Sequence, residues 1–323
     1  MEHAPFFAEI VQDFPKADAW WVTAEDGVRI RVAAWRPETA EPAKGTVLLF
    51  PGRTEYIEKY APTAGDFAKA GLATLAIDWR GQGIADRLLD NRLIGHVDKF
   101  LDFQHDVQAA LKAARDLDLP EPYFLHGHSM GGCIGLRALH EGLPVQAASF
   151  SGPMWGILIA APLRPVAWSV GWLSRLIGFS GKLAPNTSLT PYVLEGDFAD
   201  NTLTRDRSMW DLMAAQLNAH PDLALGGPSI NWLYEALSEM RTLSQMPSPR
   251  QPCLTYLGDN ERIVDPQRIK DRMAAWPNGE LRIVTNGEHE VLMENIERRT
   301  QFAAEIASHY LATVADGTAE AAE

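Results

Sequence analysis

Short apolar runs bounded by turn residues alternate with amphipathic stretches through the first half of the chain, and few folds accept that alternation besides a parallel sheet covered on both faces by helices. Residues 46–50, 72–77, 123–125 and 145–150 are each short and apolar enough to be strands buried on both sides. Ahead of them, residues 19–23 and 28–35 flank Glu25-Asp26-Gly27, which predicts a hairpin whose turn uses the positive φ open to Gly27. Residues 98–117 carry Phe100, Phe103, Val107, Leu111 and Ala114 at spacings of three and four, one apolar stripe of a helix. After a gap the pattern resumes, with strands predicted over 253–257 and 281–284 and helices over 266–275 and 295–310.

The gap sets the organisation. Residues 153–245 read as mainly helical, are rich in proline and hold five of the ten tryptophans. An insertion between two strands of an open sheet emerges on one edge, and one that emerges beside the strand ends becomes a cap over the ligand crevice there. The expected layout is therefore a core over residues 1–152, a helical cap over 153–245, a second core part over 246–313 and a small acidic tail, disordered, over 314–323.

Charge and cysteine content narrow the function classes. Lys and Arg total 29 against 42 Asp and Glu, a formal net charge of -13 with no basic stripe, so nucleic acid is not an expected partner. Cys133 and Cys253 each sit alone in apolar stretches and read as small buried hydrophobes, compatible with a reducing cytoplasm. The first twenty residues lack a basic start followed by an apolar run, so no secretory leader is expected, and no apolar stretch approaches the roughly 20 residues that span a bilayer. The expected location is the cytoplasm, with a peripheral membrane contact left open.

Chemistry enters at His126-Gly127-His128-Ser129-Met130-Gly131-Gly132, a GxSxG directly after a strand and directly before a helix. A turn that sharp excludes side chains beside the serine, so Gly127 and Gly131 let strand and helix approach and leave the Ser129 hydroxyl at the tip. The alternative is a glycine-rich connection with an incidental serine. A serine nucleophile needs a base and a carboxylate that orients the base, following it along the chain in the order Ser, acid, His. Of the nine histidines only His289 and His309 lie late enough. His309 falls within the last helix, whereas His289 falls in a loop just past a strand, where a catalytic imidazole belongs.

Three carboxylates compete for the acid in the loop after residues 253–257. Asp265 precedes Pro266 as a helix N-cap. Asp259 follows a glycine and could close the turn, while Glu261 has no structural duty, so Glu261 is favoured with Asp259 as the alternative. For the oxyanion, Met130 supplies one backbone N–H and Arg53, in Pro51-Gly52-Arg53-Thr54-Glu55, is the natural second donor. Pro51 has no N–H to give. The Arg53 and Glu55 side chains can equally form a surface ion pair.

These residues resemble the bacterial lysophospholipase and monoacylglycerol lipase group of the α/β-hydrolase superfamily. The oxyanion loop above, Asp78-Trp79-Arg80-Gly81-Gln82-Gly83, the GHSMGG turn and the segment from His289 to Glu294 are similar to its motifs. Its acid is typically Asp in G-x-x-D-x-x-V, so Glu261 matches by position and departs by type. Asn201-Thr202-Leu203-Thr204 and the segment from Pro221 to Pro228, with Trp232, look like the lysophospholipase cap. The resemblance implies an α/β-hydrolase fold and a serine esterase that cleaves a lipid ester through an acyl-enzyme, without a cofactor. A peptidase or thioesterase is the alternative, and a non-catalytic binding protein a poorer one.

In the insertion, residues 166–177 read as a helix apolar on most faces, Val166, Val170, Leu173 and Ile177 on one side and Trp168, Trp172 and Leu176 on another. Such a helix is buried or meets something greasy. Trp155, Trp168 and Trp172 are the candidate substrate contacts of the insertion. The loop from Asp78 to Gly83 forms neither a dinucleotide nor a P-loop motif and reads as structural. His126 and His128 lack partners for a metal site, so no metal is expected. Oligomeric state is not legible.

Overall fold

The computed structural model describes residues 1–39, 41–159 and 164–320. Nine strands are present among them: β1 Glu2–His3, β2 Asp18–Thr23, β3 Arg29–Trp35, β4 Thr46–Phe50, β5 Ala73–Asp78, β6 Tyr123–His128, β7 Ala147–Ser151, β8 Cys253–Gly258 and β9 Gly279–Val284. They form one sheet in the order β1-β2-β3-β5-β4-β6-β7-β8-β9. The expected hairpin, β2 with β3, is antiparallel, β3 joins β5 antiparallel, and every pairing from β5 to β9 is parallel. A parallel pair needs a crossover, and the helices α1 Ala61–Lys69, α2 Phe103–Asp116, α3 Met130–His140, α8 Pro266–Ala274 and α9 Ile296–Glu320 occupy the predicted gaps.

Both faces of the sheet are covered. Phe67 of α1 and Phe302, Ile306 and Tyr310 of α9 pack one face with Val47, Leu49 and Tyr256. Val107 of α2, Ile134 of α3 and Met273 of α8 pack the other with Leu48, Leu125 and Phe150. That explains why the central strands are apolar throughout rather than alternating. Cys133 and Cys253 are buried free thiols in this core, as their surroundings in sequence suggest.

Most element boundaries shift by one or two residues from the sequence reading, and three differences have a clear cause or consequence. β6 continues through Gly127 and His128 because its whole length is paired with β4 and β7. The helix expected from residue 98 begins as a tight turn over Phe100–Asp102, where the Asp102 carboxylate accepts the Lys99 N–H at 3.0 Å. The last helix, α9, runs to Glu320, into the stretch expected to be a disordered tail, and residues 321–323 lie outside the described ones.

Between β7 and β8 the chain leaves the sheet and returns through α4 Arg164–Leu176, α5 Tyr192–Glu195, α6 Arg207–Ala219 and α7 Ile230–Ser244. Here α4 packs on α7: Gly171 lies where a Cβ would come within 2.6 Å of Tyr234, the Trp168 ring meets the Tyr234 ring edge-on at 5.5 Å, and Arg175 pairs with Glu235 at 2.8 Å. Its other face is open, with Trp172, Leu173, Leu176 and Ile177 between 50% and 65% exposed. The side chain of Val166 lies outside the described residues.

The order β5-β4-β6 is a reversal of winding direction: β5 is added on one side of β4 and β6 on the other. In an open sheet of this kind ligands bind at the carboxyl ends of the strands where winding reverses. The segments leaving β4 and β6 there are Pro51-Gly52-Arg53 and Ser129-Met130.

Candidate active site

Ser129 sits at the tip of the β6-to-α3 turn with φ 48° and ψ -117°, a conformation that ordinary residues avoid. Hydrogen bonds hold it there. Ser129 N–H donates to Ser151 O at 3.1 Å, and Ser129 O accepts from Met154 N–H at 2.8 Å and Gly132 N–H at 2.9 Å. The two glycines are there for space: a Cβ on Gly131 would lie 1.9 Å from Phe50 O, and one on Gly127 would lie 2.9 Å from Gly131 O. Their absence of side chains brings the N-terminus of α3 against the loop after β4.

That loop offers one unoccupied donor beside two occupied ones. Gly52 N–H donates to the Glu55 carboxylate, and Thr54 N–H donates to Gln82 Oε1 at 3.2 Å. Arg53 N–H between them, and Met130 N–H across the turn, have no acceptor among the described residues. Two unpaired N–H groups flanking the serine are what an oxyanion would bind. The loop from Asp78 to Gly83 braces them: Trp79 Nε1 donates to Pro51 O at 2.9 Å and Gln82 Nε2 to Gly52 O at 3.0 Å. Asp78 itself accepts from Ile57 N–H at 2.8 Å and from Arg31 Nε at 2.8 Å. The structural reading of that loop holds.

His289 Nδ1 lies 2.6 Å from Glu261 Oε2, and both side chains are buried. The other carboxylate oxygen, Oε1, accepts from Ile263 N–H at 2.7 Å and Val264 N–H at 3.1 Å, so the glutamate curls back onto its own loop and is fixed at both oxygens. Burial works against the Glu261 charge, but the imidazole and these N–H donors outweigh it and hold the carboxyl below its ordinary range. Burial likewise disfavours imidazolium at His289, and the Glu261 carboxylate overcomes it, raising the histidine above its usual value. Asp259 is exposed, and Asp265 caps α8 by accepting from Gln267 N–H at 3.0 Å. Close passage of the two loops depends on Gly258, where a Cβ would meet Gly287 O at 2.3 Å.

Ser129 and His289 line one cavity of about 480 Å³. Ser129 Oγ makes no hydrogen bond to a described residue, and nucleophile-to-base contacts of this type commonly tighten only with substrate bound. The cavity is walled by Ile263 and Val264 from the core and by Met154, Ile157, Tyr192, Leu203, Met213, Leu217 and Trp232 from the 153–245 insertion. The Asn201-Thr202-Leu203-Thr204 segment joins the two parts: His289 N–H donates to Thr202 O at 3.1 Å, Glu290 N–H to Leu203 O at 2.8 Å, and Thr204 Oγ1 to Met293 O at 2.6 Å.

The tryptophans named from sequence are not brought to this cavity. Trp155 is buried against Trp276 and Phe150, its indole N–H donating to Gly132 O at 3.1 Å. Trp168 is used in the α4 to α7 contact, and both line a separate, smaller cavity of about 170 Å³. Trp172 faces solvent. The tryptophan that does line the cavity is Trp232, on α7, whose spacing in sequence resembles an ordinary buried helix position.

Nor do Arg53 and Glu55 pair with each other. Glu55 is buried, accepts from Tyr60 O–H at 2.5 Å and pairs with Lys59 at 2.7 Å, while Lys59 reaches Glu290 at 2.5 Å. Burial would raise the Glu55 carboxyl, yet the Lys59 ammonium prevails and takes it down to about 2. Glu55, His128 and Glu290 present ligand atoms within 4.8 Å of one another, a spacing that suits a cation, and the Lys59 ammonium supplies that positive charge from within the chain. Sequence reading missed Lys59 and Glu290 because nothing local marks either as buried.

A family profile described as serine aminopeptidase, S33 (Hydrolase_4) matches residues 41–296. The chain belongs to this α/β-hydrolase family. It is 30% identical over 292 residues to lysophospholipase L2 of Escherichia coli strain K12, covering 86% of this chain and 83% of the relative. Rat monoglyceride lipase is 25% identical over 258 residues, 79% of this chain and 77% of that one. Among solved structures, a soluble variant of monoglyceride lipase from Saccharomyces cerevisiae superposes with a TM-score of 0.70 at 19% identity over 94% of this chain and 97% of that one. A carboxyl esterase from Bacillus coagulans gives 0.70 at 17% identity, covering 90% and 97%. The chain is thus a hydrolase whose relatives act on carboxylic esters.

Proposed function

We propose that this enzyme hydrolyses the acyl ester of a lysophospholipid or monoacylglycerol through Ser129, His289 and Glu261. The observation that carries the reading is a single cavity lined by both Ser129 and the Glu261-bound His289 under an apolar roof. Ser129 Oγ attacks the ester carbonyl as His289 Nε2 takes its proton, and the same imidazole then protonates the leaving alcohol. Glu261 fixes the tautomer and orientation of the ring. The N–H groups of Arg53 and Met130 bind the tetrahedral oxyanion, a contribution of roughly 3 to 4 kcal/mol per donor. Water then attacks the acyl-enzyme carbonyl as the same imidazole takes its proton, the acyl–Oγ bond breaks, and the proton returns to Ser129 Oγ as the fatty acid leaves.

Residues 153–245 act as the cap in this reading, and the 153–245 insertion supplies most of the wall an acyl chain would contact. The open face of α4, with Trp172, Leu173, Leu176 and Ile177, makes a peripheral contact with the lipid surface that delivers substrate. No described helix is long and apolar enough to cross a membrane.

An aminopeptidase activity, the family's printed description, fits less well. A free peptide N-terminus needs a carboxylate to receive its ammonium, but the carboxylates lining this cavity, Glu55 and Glu290, are both engaged by Lys59. A fluorophosphonate probe tests the mechanism: labelling is expected in the native protein, absent in Ser129→Ala and strongly slowed in His289→Ala. Labelling that survives Ser129→Ala would refute it. Turnover of matched lysophospholipid, monoacylglycerol, thioester and aminoacyl substrates identifies the class.

A further inference from the structure

Arg53 is a cation in the wall of the cavity that no carboxylate accompanies. Among the described residues, no acidic group lies within ion-pair distance of it, whereas the other lining cation, Lys59, is shared by Glu55 and Glu290. Its side chain leaves the oxyanion loop toward the insertion, donating from Nη2 to Gly226 O, and its guanidinium lies over the Trp232 ring with Cζ 5.3 Å from the centroid. Nε is buried without an acceptor, and Nη1 has no partner among the described residues. Gly95 makes room for the group: a Cβ there would stand 3.0 Å from Nη2 and 3.4 Å from Nε. Burial alone pulls the guanidinium down to about 10, which leaves it charged at neutral pH.

A desolvated, unpaired cation with donors left over is a costly arrangement that an anionic ligand would complete. Position limits which anion. The Arg53 backbone flanks the site of the ester carbonyl, and the guanidinium lies about six bonds, on the order of 7 Å, out along the side chain. A phosphate on the third carbon of glycerol stands about as many bonds from an ester carbonyl on the first carbon. The acidic cluster of Glu55 and Glu290 adjoins His128 and repels an anion from that end, so a charged group is directed to the Arg53 end.

We propose that the Arg53 guanidinium, seated on Trp232 and Gly95, recognises a phosphate on the glycerol of the ester substrate and so selects acyl glycerophosphates over uncharged monoacylglycerols. This deepens the lipid esterase reading and rests on it.

The test compares kcat/KM on 1-palmitoyl lysophosphatidylethanolamine with that on 1-palmitoylglycerol in the same detergent micelles. In Arg53→Met the phosphate-to-neutral ratio is expected to fall on the order of tenfold to a hundredfold, whatever loss both substrates share, with part of it restored in Arg53→Lys. Gly95→Ala displaces the guanidinium without touching the Arg53 backbone, and the same ratio is expected to fall. A ratio unchanged in both Arg53→Met and Gly95→Ala overturns the proposal. Calorimetric binding of glycerol 3-phosphate to the native protein tests it apart from catalysis: weaker binding in Arg53→Met supports it, while no binding to the native protein, or binding of inorganic phosphate equally tight, overturns it. Native protein that binds glycerol 3-phosphate through Arg53 yet hydrolyses neither lipid would refute the esterase reading and leave the anion site standing.

Discussion

His289 Nδ1 and Glu261 Oε2 are 2.6 Å apart, whereas Asp259, two residues earlier on the same loop, is exposed and contributes its backbone N–H to Val284 O at 3.1 Å. A glutamate serves here because its extra methylene lets the carboxylate fold back onto Ile263 N–H and Val264 N–H before reaching the imidazole.

The acid is therefore separable by two substitutions. Glu261→Gln should lower kcat by about 10⁴-fold, since an amide would stabilise the wrong tautomer and leave the imidazolium uncompensated. Asp259→Asn should stay within a few-fold of the native rate. Steady-state kinetics on a p-nitrophenyl ester checks both, and the reverse pattern would transfer the role to Asp259.

The pH profile carries the same signature. In the proposed mechanism His289 acts as a base only when neutral, and Glu261 raises its pKa, so kcat/KM should fall with decreasing pH along a limb centred above the ordinary histidine value of about 6.5. In Glu261→Gln the largest raising influence is lost, leaving burial opposed only by the charges of Glu290 and Glu55, and the limb of the residual activity should move down. For stability the sign is opposite: the raised folded value favours the protonated fold, a contribution present below the unfolded pKa and lost as pH rises through the folded one.

Gly131→Ala should disrupt the nucleophile turn, because its Cβ would stand 1.9 Å from Phe50 O, a backbone atom that cannot step aside. Gly142→Ala is the control: at φ 84° with nothing within 4 Å, it should cost only the left-handed penalty of about 1 to 2 kcal/mol. Thermal melts combined with fluorophosphonate labelling distinguish them, and a fully active, stable Gly131→Ala would contradict the geometry.

Replacing Leu173, Leu176 and Ile177 together with serine should weaken binding to phospholipid vesicles in a flotation assay. The rate on vesicle-borne substrate should drop more than the rate on a water-soluble ester. Equal rates on both would assign α4 to another partner.

The sheet was legible because burial on both faces demands unbroken apolar runs, and β4 over Thr46–Phe50 matches its prediction residue for residue. The serine was legible for a related reason: a strand, a glycine-flanked turn and a helix are contiguous, so local sterics determine them. The insertion is legible as an insertion, but Trp155 and Trp168, which the sequence offers as substrate contacts, fill packing positions beside Trp276 and Tyr234. Apolar periodicity marks which residues avoid water and does not say which cavity they face.

By itself, then, the sequence determined the order of strands and helices, the strained turn at Ser129 and the presence of an insertion between two strands, since each follows from contacts between near neighbours. Only the tertiary structure decided that Glu261 rather than Asp259 meets His289, that Glu55 turns inward to Lys59 and that Arg53 has no counter-ion among the described residues. Glu261 and His289 lie on different loops, and even the local Glu55–Lys59 pair is buried only because Glu290, far along the chain, meets the same ammonium; the field at a charged group is set by its spatial neighbours, which chain position does not encode.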